Sequence, residues 1–312
     1  MTGERPLLGF GLPVSGPWAT PDTMRHVARR AEALGYASLW TFQRVLFPVD
    51  GGLEPSHRAV LDPVVALAYV AGHTERIGLG TATICAPFTA PALLAKAMAS
   101  LDVVTGGRLT VGLGMGWLTQ EYAAAGVPFE RRGARFEEYL HCLVALWTQD
   151  PVEFAGEFFT VPRSHVGPAP LQRPHPPVLL GGSAAPALRR AGRLAQGWIG
   201  SSQQDLTRIG ACVETVRDGA REAGRDPGAV RIVVRGVVDL TADEPAGQRR
   251  PFHGTREQVL ADLDALGAQG VTEVFFDLNL SPRVGFPSVD PGEALAYAED
   301  VLDAFAPAHW GR

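Results

Sequence analysis

Two kinds of pattern in this sequence can do chemistry: glycine-rich turns that expose backbone N–H groups, and polar side chains set just after apolar runs. Gly181-Gly182-Ser183 follows the run Val178–Leu180 and leads into a helix-forming segment from about Pro186 to Leu194. Successive N–H groups at a helix start, with the positive end of the helix dipole behind them, bind phosphate. The alternative reading is a plain tight turn. Gly112, Gly114 and Gly116 spell GxGxG at the end of a second apolar run. A dinucleotide fingerprint would need a glycine opening a helix and an acidic residue about twenty positions on, after a second strand. Trp117 follows instead, so these glycines read at least as well as residues that make room for packing.

Polar candidates cluster after other runs. Phe42-Gln43-Arg44 ends the run Ala37–Thr41, and a Gly/Pro-rich loop to Ala59 holds His57 and Arg58. His253 lies in a second polar loop. Each of these three is read as a solvated side chain or a catalyst. Asp277, at the end of a late apolar run, either points into a pocket or caps a turn. Cys85, Cys142 and Cys212 are far apart, odd in number and without a CxxC pair, which argues against disulfides and zinc, suits a reducing cytosol, and leaves no metal site expected.

These residues need a scaffold that gathers strand ends, and the hydrophobic periodicity supplies one. From Ile77 to Gly116 the chain reads strand, helix and parallel strand, with Leu93, Leu94, Ala97, Leu101 and Val104 forming one apolar stripe on a helix that opens at Pro91 and stops at Gly106-Gly107. The same alternation starts at Leu7–Leu12, a helix from Pro21-Asp22 and a strand at Ala37–Thr41. It resumes with Val178–Leu180, Gly197–Gly200, a helix from Gln203 to Ala223, Arg231–Leu240 and Thr272–Leu278, and closes with a helix from Asp290 to Phe305. Four strands precede and four follow a Pro-rich excursion at 150–177, which predicts an α/β protein, a (β/α)8 TIM barrel with insertion segments, as one domain over 1–312. In such barrels the loops after the strands carry the chemistry. The polar loop at 241–254, DEPAGQRRPFHG at its core, reads as a mobile lid. The net charge of −5 with interspersed signs leaves no nucleic-acid or membrane footprint and favours small, uncharged or weakly charged ligands. The start, MTGERPLLGFGLP, lacks the apolar core of a signal segment.

The runs GTATICAP, LLAKAMASLD and GGRLTVGLGMGW resemble the luciferase-like flavin and deazaflavin oxidoreductases, a TIM-barrel superfamily. The likeness extends through WTFQR, VPFERRGARFEEYL, ALWTQDPVEFAGEFF, RPHPPVLLGGSAAPALRRAGRLAQGWI and VRDGAREAGRDP. It implies a cofactor phosphate at Gly181, Gly182 and Ser183, and a ring bedded on Ala82 and Thr83, Cys85, and Gly114, Met115, Gly116, Trp117 and Gln120. It also implies a cis peptide at Ala82–Thr83 in a strand bulge. Glu121, Arg132 and Arg135 then form an ion network or line the tail of an anionic cofactor.

Two departures from the family bear on activity. Where strand 2 ends the family commonly has Ser-Asp-His, and this chain has Phe42-Gln43-Arg44. The glutamate that does acid/base work in the family's sugar-phosphate dehydrogenases is replaced by Trp117, which argues against that alcohol oxidation. The resemblance instead implies that Gln43 hydrogen-bonds the cofactor ring and that Arg44, with His57 as a further catalytic candidate, holds an anionic or carbonyl substrate. The leading expectation is a cytoplasmic coenzyme F420-dependent oxidoreductase that moves hydride to or from a small carbonyl, enone or imine. No His or Cys reads as ready to stabilise a peroxyflavin. The alternatives are an FMN-dependent two-component monooxygenase fed by a partner reductase, and a non-catalytic flavin-binding barrel. A homodimer is expected from the family.

Overall fold

The computed structural model of this chain describes residues 5–245, 247 and 249–310. The first four residues of the N-terminal stretch, and Ala246 and Gln248 of the polar loop, therefore lie outside the described residues.

The first half runs β1 (Leu7–Gly11), α1 (Pro21–Ala33), β2 (Ser38–Thr41), α2 (Pro63–Ala71), β3 (Gly78–Thr81), β4 (Ile84–Cys85), α3 (Pro91–Val104), β5 (Leu109–Gly114), α4 (Thr119–Ala124) and α5 (Arg132–Thr148). The second runs β6 (Val152–Ala155), β7 (Thr160–Ser164), β8 (Val178–Gly181), α6 (Ala185–Leu194), β9 (Gly197–Gly200), α7 (Ile209–Glu222), β10 (Arg231–Gly236), β11 (Asp239–Leu240), β12 (His253–Gly254), α8 (Arg256–Ala268), β13 (Glu273–Phe276) and α9 (Pro291–Ala304). Strands β1, β2, β3, β5, β8, β9, β10 and β13 pair in parallel in chain order, and β13 pairs back to β1, so the sheet closes into a (β/α)8 TIM barrel.

Local chemistry sets the helix starts. Thr20, Asp62 and Asp290 cap α1, α2 and α9 from the residue before a first-position proline, and Thr255 and Gln258 form a capping box on α8. Gly106 and Gly107, both at positive φ, end the central βαβ crossover. Alternate strand residues divide the core in two. One set, including Leu39, Leu79, Val111, Ile232 and Val234, packs outward against the helices. The other, Trp40, Ala82, Leu179, Ile199, Val233 and Phe275, fills the barrel interior.

Trp40 fits there because its neighbours are glycines: a Cβ on Gly80 would stand 2.5 Å from its ring. Gly112 is held the same way, since a Cβ there would lie 1.8 Å from the Thr81 carbonyl oxygen and 2.6 Å from Ile199. For Gly112, making room inside the barrel is the reading the packing supports. Below this plug Glu273 accepts from Trp40 Nε1 at 2.9 Å and from Arg231 at 3.0 Å and is bonded to Ser38, closing the bottom of the barrel with a satisfied polar cluster.

Several boundaries differ from expectation. Gln203–Arg208 is not helical: Asp205 caps a short 3-10 turn, and α7 begins at Ile209. Strand β10 stops at Gly236, against which the Phe252 ring packs, and Asp239–Leu240 pairs instead with His253–Gly254. The excursion at 150–177 contains an antiparallel hairpin of β6 and β7. The 241–254 loop is not a free lid in its second half. Arg249 forms a two-pronged pair with Asp262 at 2.6 and 2.7 Å, the Phe252 N–H also bonds Asp262, and the Phe252 side chain is fully buried. Among the described residues no helix is long and apolar enough to cross a membrane.

Candidate active site

The carboxyl ends of the barrel strands form one mouth, and most of the sequence-derived candidates meet there. Strand β3 breaks after Thr81 and resumes as β4, with a cis peptide between Ala82 and Thr83, as the resemblance implies. The Thr83 side chain lies between two of the glycine sites. A Cβ on Gly114 would stand 2.7 Å from Thr83 Oγ1, and one on Gly181 would stand 3.2 Å from Thr83 Cγ2. Gly116 has φ +75°, and a Cβ there would press on Phe88 and on the Cys85 sulfur at 3.3 Å. Thr83 therefore occupies the space that side chains at Gly114 and Gly181 would need, and the glycines of two neighbouring strands let it lie close against the wall of the mouth.

Gly182 has φ +132°, and its carbonyl accepts from Trp198 Nε1 at 2.7 Å, which aims the turn. Gly182, Ser183 and Ala184 are exposed, and α6 has no side-chain cap. The helix start is thus open to an anion. Helix α5, which follows Arg131 at φ +54°, also has no side-chain cap. Arg190 of α6 reaches the start of α5, where its Nη2 would lie 3.7 Å from a Cβ on Gly133. Arg132 stacks 3.9 Å over Phe129, and Arg135 donates to the Pro128 and Glu130 carbonyls; among the described residues neither has a carboxylate partner. Glu121 is not part of their network.

Glu121 pairs instead with Arg44, at 2.9 Å, and accepts the Val45 and Leu46 N–H groups at 2.7 and 3.2 Å. Arg44, expected from the sequence to hold substrate, is therefore not wholly free to do so. The pair is buried, and the Arg44 guanidinium also lies 5.4 Å over Trp117, whose ring is mostly exposed. Gln43 is likewise engaged: its Oε1 accepts from Cys85 N at 2.9 Å, so only its amide NH2 remains for a ligand. Met115 presents its carbonyl to Tyr122 Oη at 2.5 Å, and Gln120 is exposed beside Thr119. Burial, with Glu121 nearby, pushes the Cys85 thiol up to about 12, so it stays protonated at neutral pH.

His57 is half-buried, not solvated. Its ring meets Phe42 edge-on at 5.9 Å, and burial followed by the Arg44 charge holds it below the ordinary imidazole range. His57 and Cys85, both candidates from the sequence, thus stand at the mouth. Arg58 remains exposed, and His253 lies 4.0 Å from Asp239, away from this group.

Sequence reasoning missed Arg235 and Asn279. Arg235, near the end of β10, reaches across the barrel and donates to the Ala82 carbonyl on the opposite strand. Its guanidinium lies 5.3 Å from the ring centres of both Phe42 and Phe275, so it forms the floor of the mouth above the apolar plug. Asp277 lies 3.3 Å from Arg235 Nε, out of line for a hydrogen bond. It also caps the turn at Asn279, the second of the two readings of Asp277. Asn279 is fully buried, accepts from the Val14 and Ser15 N–H groups and donates to the Leu12 carbonyl and Asp277, tying the first strand's exit loop to the last strand's. A cavity of about 270 Å3 lies elsewhere, between the ends of α5 and α6 and His175, and no Asp, Glu, Lys or Arg lines it.

The sequence profile of the luciferase-like monooxygenase family matches residues 8–273. An FMNH2-dependent dimethylsulfone monooxygenase of Pseudomonas putida is 33% identical over 220 residues, 70% of this chain and 58% of that protein. Monooxygenase RslO1 from Streptomyces bottropensis superposes with a TM-score of 0.77 at 22% identity, covering 97% of this chain and 99% of that one. An F420-dependent secondary alcohol dehydrogenase, solved with an F420–acetone adduct, gives 0.75 at 17%, covering 96% and 99%. At these two identities the structural likeness is one of fold. With the profile spanning most of the chain, the protein belongs to the luciferase-like monooxygenase family.

Proposed function

We propose that the protein is a coenzyme F420-dependent oxidoreductase that transfers hydride between the deazaflavin and a small carbonyl, enone or imine. The observation that carries this is the paired helix starts. Two N-termini without side-chain caps, with Arg132 and Arg135 free of carboxylate partners among the described residues, make a cationic track longer than one phosphate needs. The deazaflavin ends in a phosphodiester and a carboxylate tail, whereas FMN ends in a single phosphate. When bound, the deazaflavin supplies hydride at a carbon that disfavours one-electron and oxygen chemistry.

The chain's own groups then have separable tasks. N–H groups of Gly182–Ala184 hold the phosphate, and the ring lies against Thr83, for which Gly114 and Gly181 leave room. Gln43, fixed through its Oε1, turns its NH2 toward the ring's polar edge. Neutral His57, with Nδ1 unpartnered among the described residues, offers substrate a hydrogen bond. The second reading, an FMN monooxygenase, draws support from His57 and Cys85 at the mouth and from the 33% identity to an FMNH2-dependent enzyme.

Titration with each coenzyme, followed by anaerobic assay with an activated alkene or imine, tests the choice. F420 is expected to bind in the micromolar range, with Arg132→Glu/Arg135→Glu weakening it at least about tenfold, roughly 1.4 kcal/mol, and leaving any FMN affinity unchanged. Micromolar FMN binding without F420 binding, and turnover only in oxygen, would establish the monooxygenase instead. Binding of either coenzyme with no turnover of any kind would leave a flavin-binding barrel.

A further inference from the structure

Among the described residues, the buried nitrogens Arg44 Nε, His57 Nδ1 and Arg235 Nε have no hydrogen-bond partner. An unmet buried polar atom costs about 1–3 kcal/mol, so three in one neighbourhood call for a ligand. They do share a neighbourhood. Phe42 touches both His57 and the Arg235 guanidinium, and the charges of Arg44, Arg235 and Asp277 all act on His57. Both arginine side chains are nearly closed to solvent, at 12% and 10% exposure.

The local carboxylates do not satisfy these atoms. Glu121 is taken by Arg44 Nη1 and two backbone N–H groups, whereas Asp277 gives only Oδ1 to Asn279 and keeps Oδ2 3.3 Å from Arg235 Nε, an ion pair whose N–H is out of line for a hydrogen bond. The unmet nitrogens stand on the loop after β2 and on β10, on either side of β1 and β13, and β9 separates β10 from β8 and the open start of α6. A cofactor whose phosphate sits at α6 and whose ring lies over Thr83 leaves this rim to the substrate. Around it the surface is apolar: Phe42 and Phe275 face the Arg235 guanidinium, and Val45, Leu46 and Trp117 are exposed at the edge.

We infer that the substrate carries an anionic oxygen head group, a carboxylate or sulfonate, on a compact apolar body, and that Arg235, Arg44 and His57 grip the head while the reacting carbon faces the ring. The head group is an unreacted anchor. A neutral amide keeps one acceptor oxygen but turns an NH2 donor toward the remaining N–H groups, and a site built on buried hydrogen bonds rejects such an analogue strongly. This inference rests on the reading of the mouth as the substrate site of a coenzyme-dependent oxidoreductase.

The test uses phenylacetate and its neutral isostere phenylacetamide, read by saturation-transfer NMR and by Trp fluorescence, first without coenzyme and then with whichever coenzyme binds at saturation. Phenylacetate is expected to bind at least about tenfold more tightly than the amide in both states. Arg235→Gln should bring that ratio below about twofold. Because Arg235 also roofs the core, Arg235→Lys and His57→Gln, checked by melting curves, are the second line, each lowering the ratio at least about threefold. Equal binding of acid and amide, or a ratio untouched in both second-line variants, would overturn the inference. Competitive displacement of phenylacetate by coenzyme would also overturn it, assigning the nitrogens to the cofactor while leaving the oxidoreductase reading intact. An acid preference in a protein that binds neither coenzyme would support the anion site and refute the oxidoreductase.

Discussion

Replacing Arg44 by Met removes one member of a buried ion pair and leaves the other in place. Glu121, 2% exposed, then keeps the Val45 and Leu46 N–H groups, but both of these bond Oε1, and Oε2 loses its sole hydrogen-bond partner. Stripping one partner from a buried pair costs about 3–5 kcal/mol. The two remaining donors put this case at the lower end, about 3 kcal/mol. With unfolding entropy of about 2.1 cal/mol/K per residue, a chain of 312 residues should lose roughly 5 °C in its melting midpoint. Adding Glu121→Gln removes the orphaned charge while its amide oxygen still accepts a backbone N–H. The double variant should therefore recover about 1–2 kcal/mol relative to Arg44→Met alone. Circular dichroism melts and urea titrations of the four proteins in the cycle measure both quantities. A loss under about 0.5 kcal/mol for Arg44→Met, the size of an exposed pair, or strictly additive effects would show that the pair is not the buried junction described.

Gly112→Ala should be among the most damaging small substitutions, because its Cβ would lie 1.8 Å from the Thr81 carbonyl oxygen and would part Thr81 Oγ1 from the Gly112 N–H and carbonyl it bonds; a cost of about 3 kcal/mol is expected by urea denaturation, and a near-neutral result would refute the account of barrel packing. His57 should make stability depend on pH in a stated direction. Its folded-state pKa is lowered from the ordinary 6.5, so as pH falls through about 6.5 the unfolded chain takes up a proton that the folded one refuses, and stability drops until the lowered value is passed. The denaturation midpoint should therefore fall less between pH 7.5 and 5.5 in His57→Gln than in the parent, and parallel curves would count against this assignment of burial.

The barrel was legible because it is written in local code. Apolar runs of strand length alternate with capped helices, as at Pro91–Val104 between β3 and β5, and glycine stops lie where positive φ is needed. The turn at Gly181–Ser183 was legible for the same reason, since a strand and a helix meet there within four residues. Contacts between distant strands carry no such signature. Arg235 reads as one more arginine in a β-rich run, yet its acceptor, the Ala82 carbonyl, is 153 residues away on the opposite wall. Asn279 joins two loops with an amide that nothing in its neighbours announces. Glu121 was noticed, but nearby Arg132 and Arg135 looked like its partners, and the true one, Arg44, is 77 positions back. The lid was misread for a similar reason: a polar run with Pro and Gly looked mobile, while its anchor, Phe252, is held by Gly236 and Phe276.

Strand β10 places Arg231 at the bottom of the barrel and Arg235 at the top, with Val233 between them in the interior plug and Ile232 and Val234 facing the helices. Because successive side chains alternate faces, a slip of one residue against β9 or β13 would drive both guanidiniums into the apolar layer under the helices and turn Ile232 and Val234 toward Glu273 and the mouth. Each misaligned pairing would bury two unpartnered cations at once. One strand thus acts as a register key for the ring, so that the residues lining the reaction chamber also discriminate against misthreaded closures as the last strands dock.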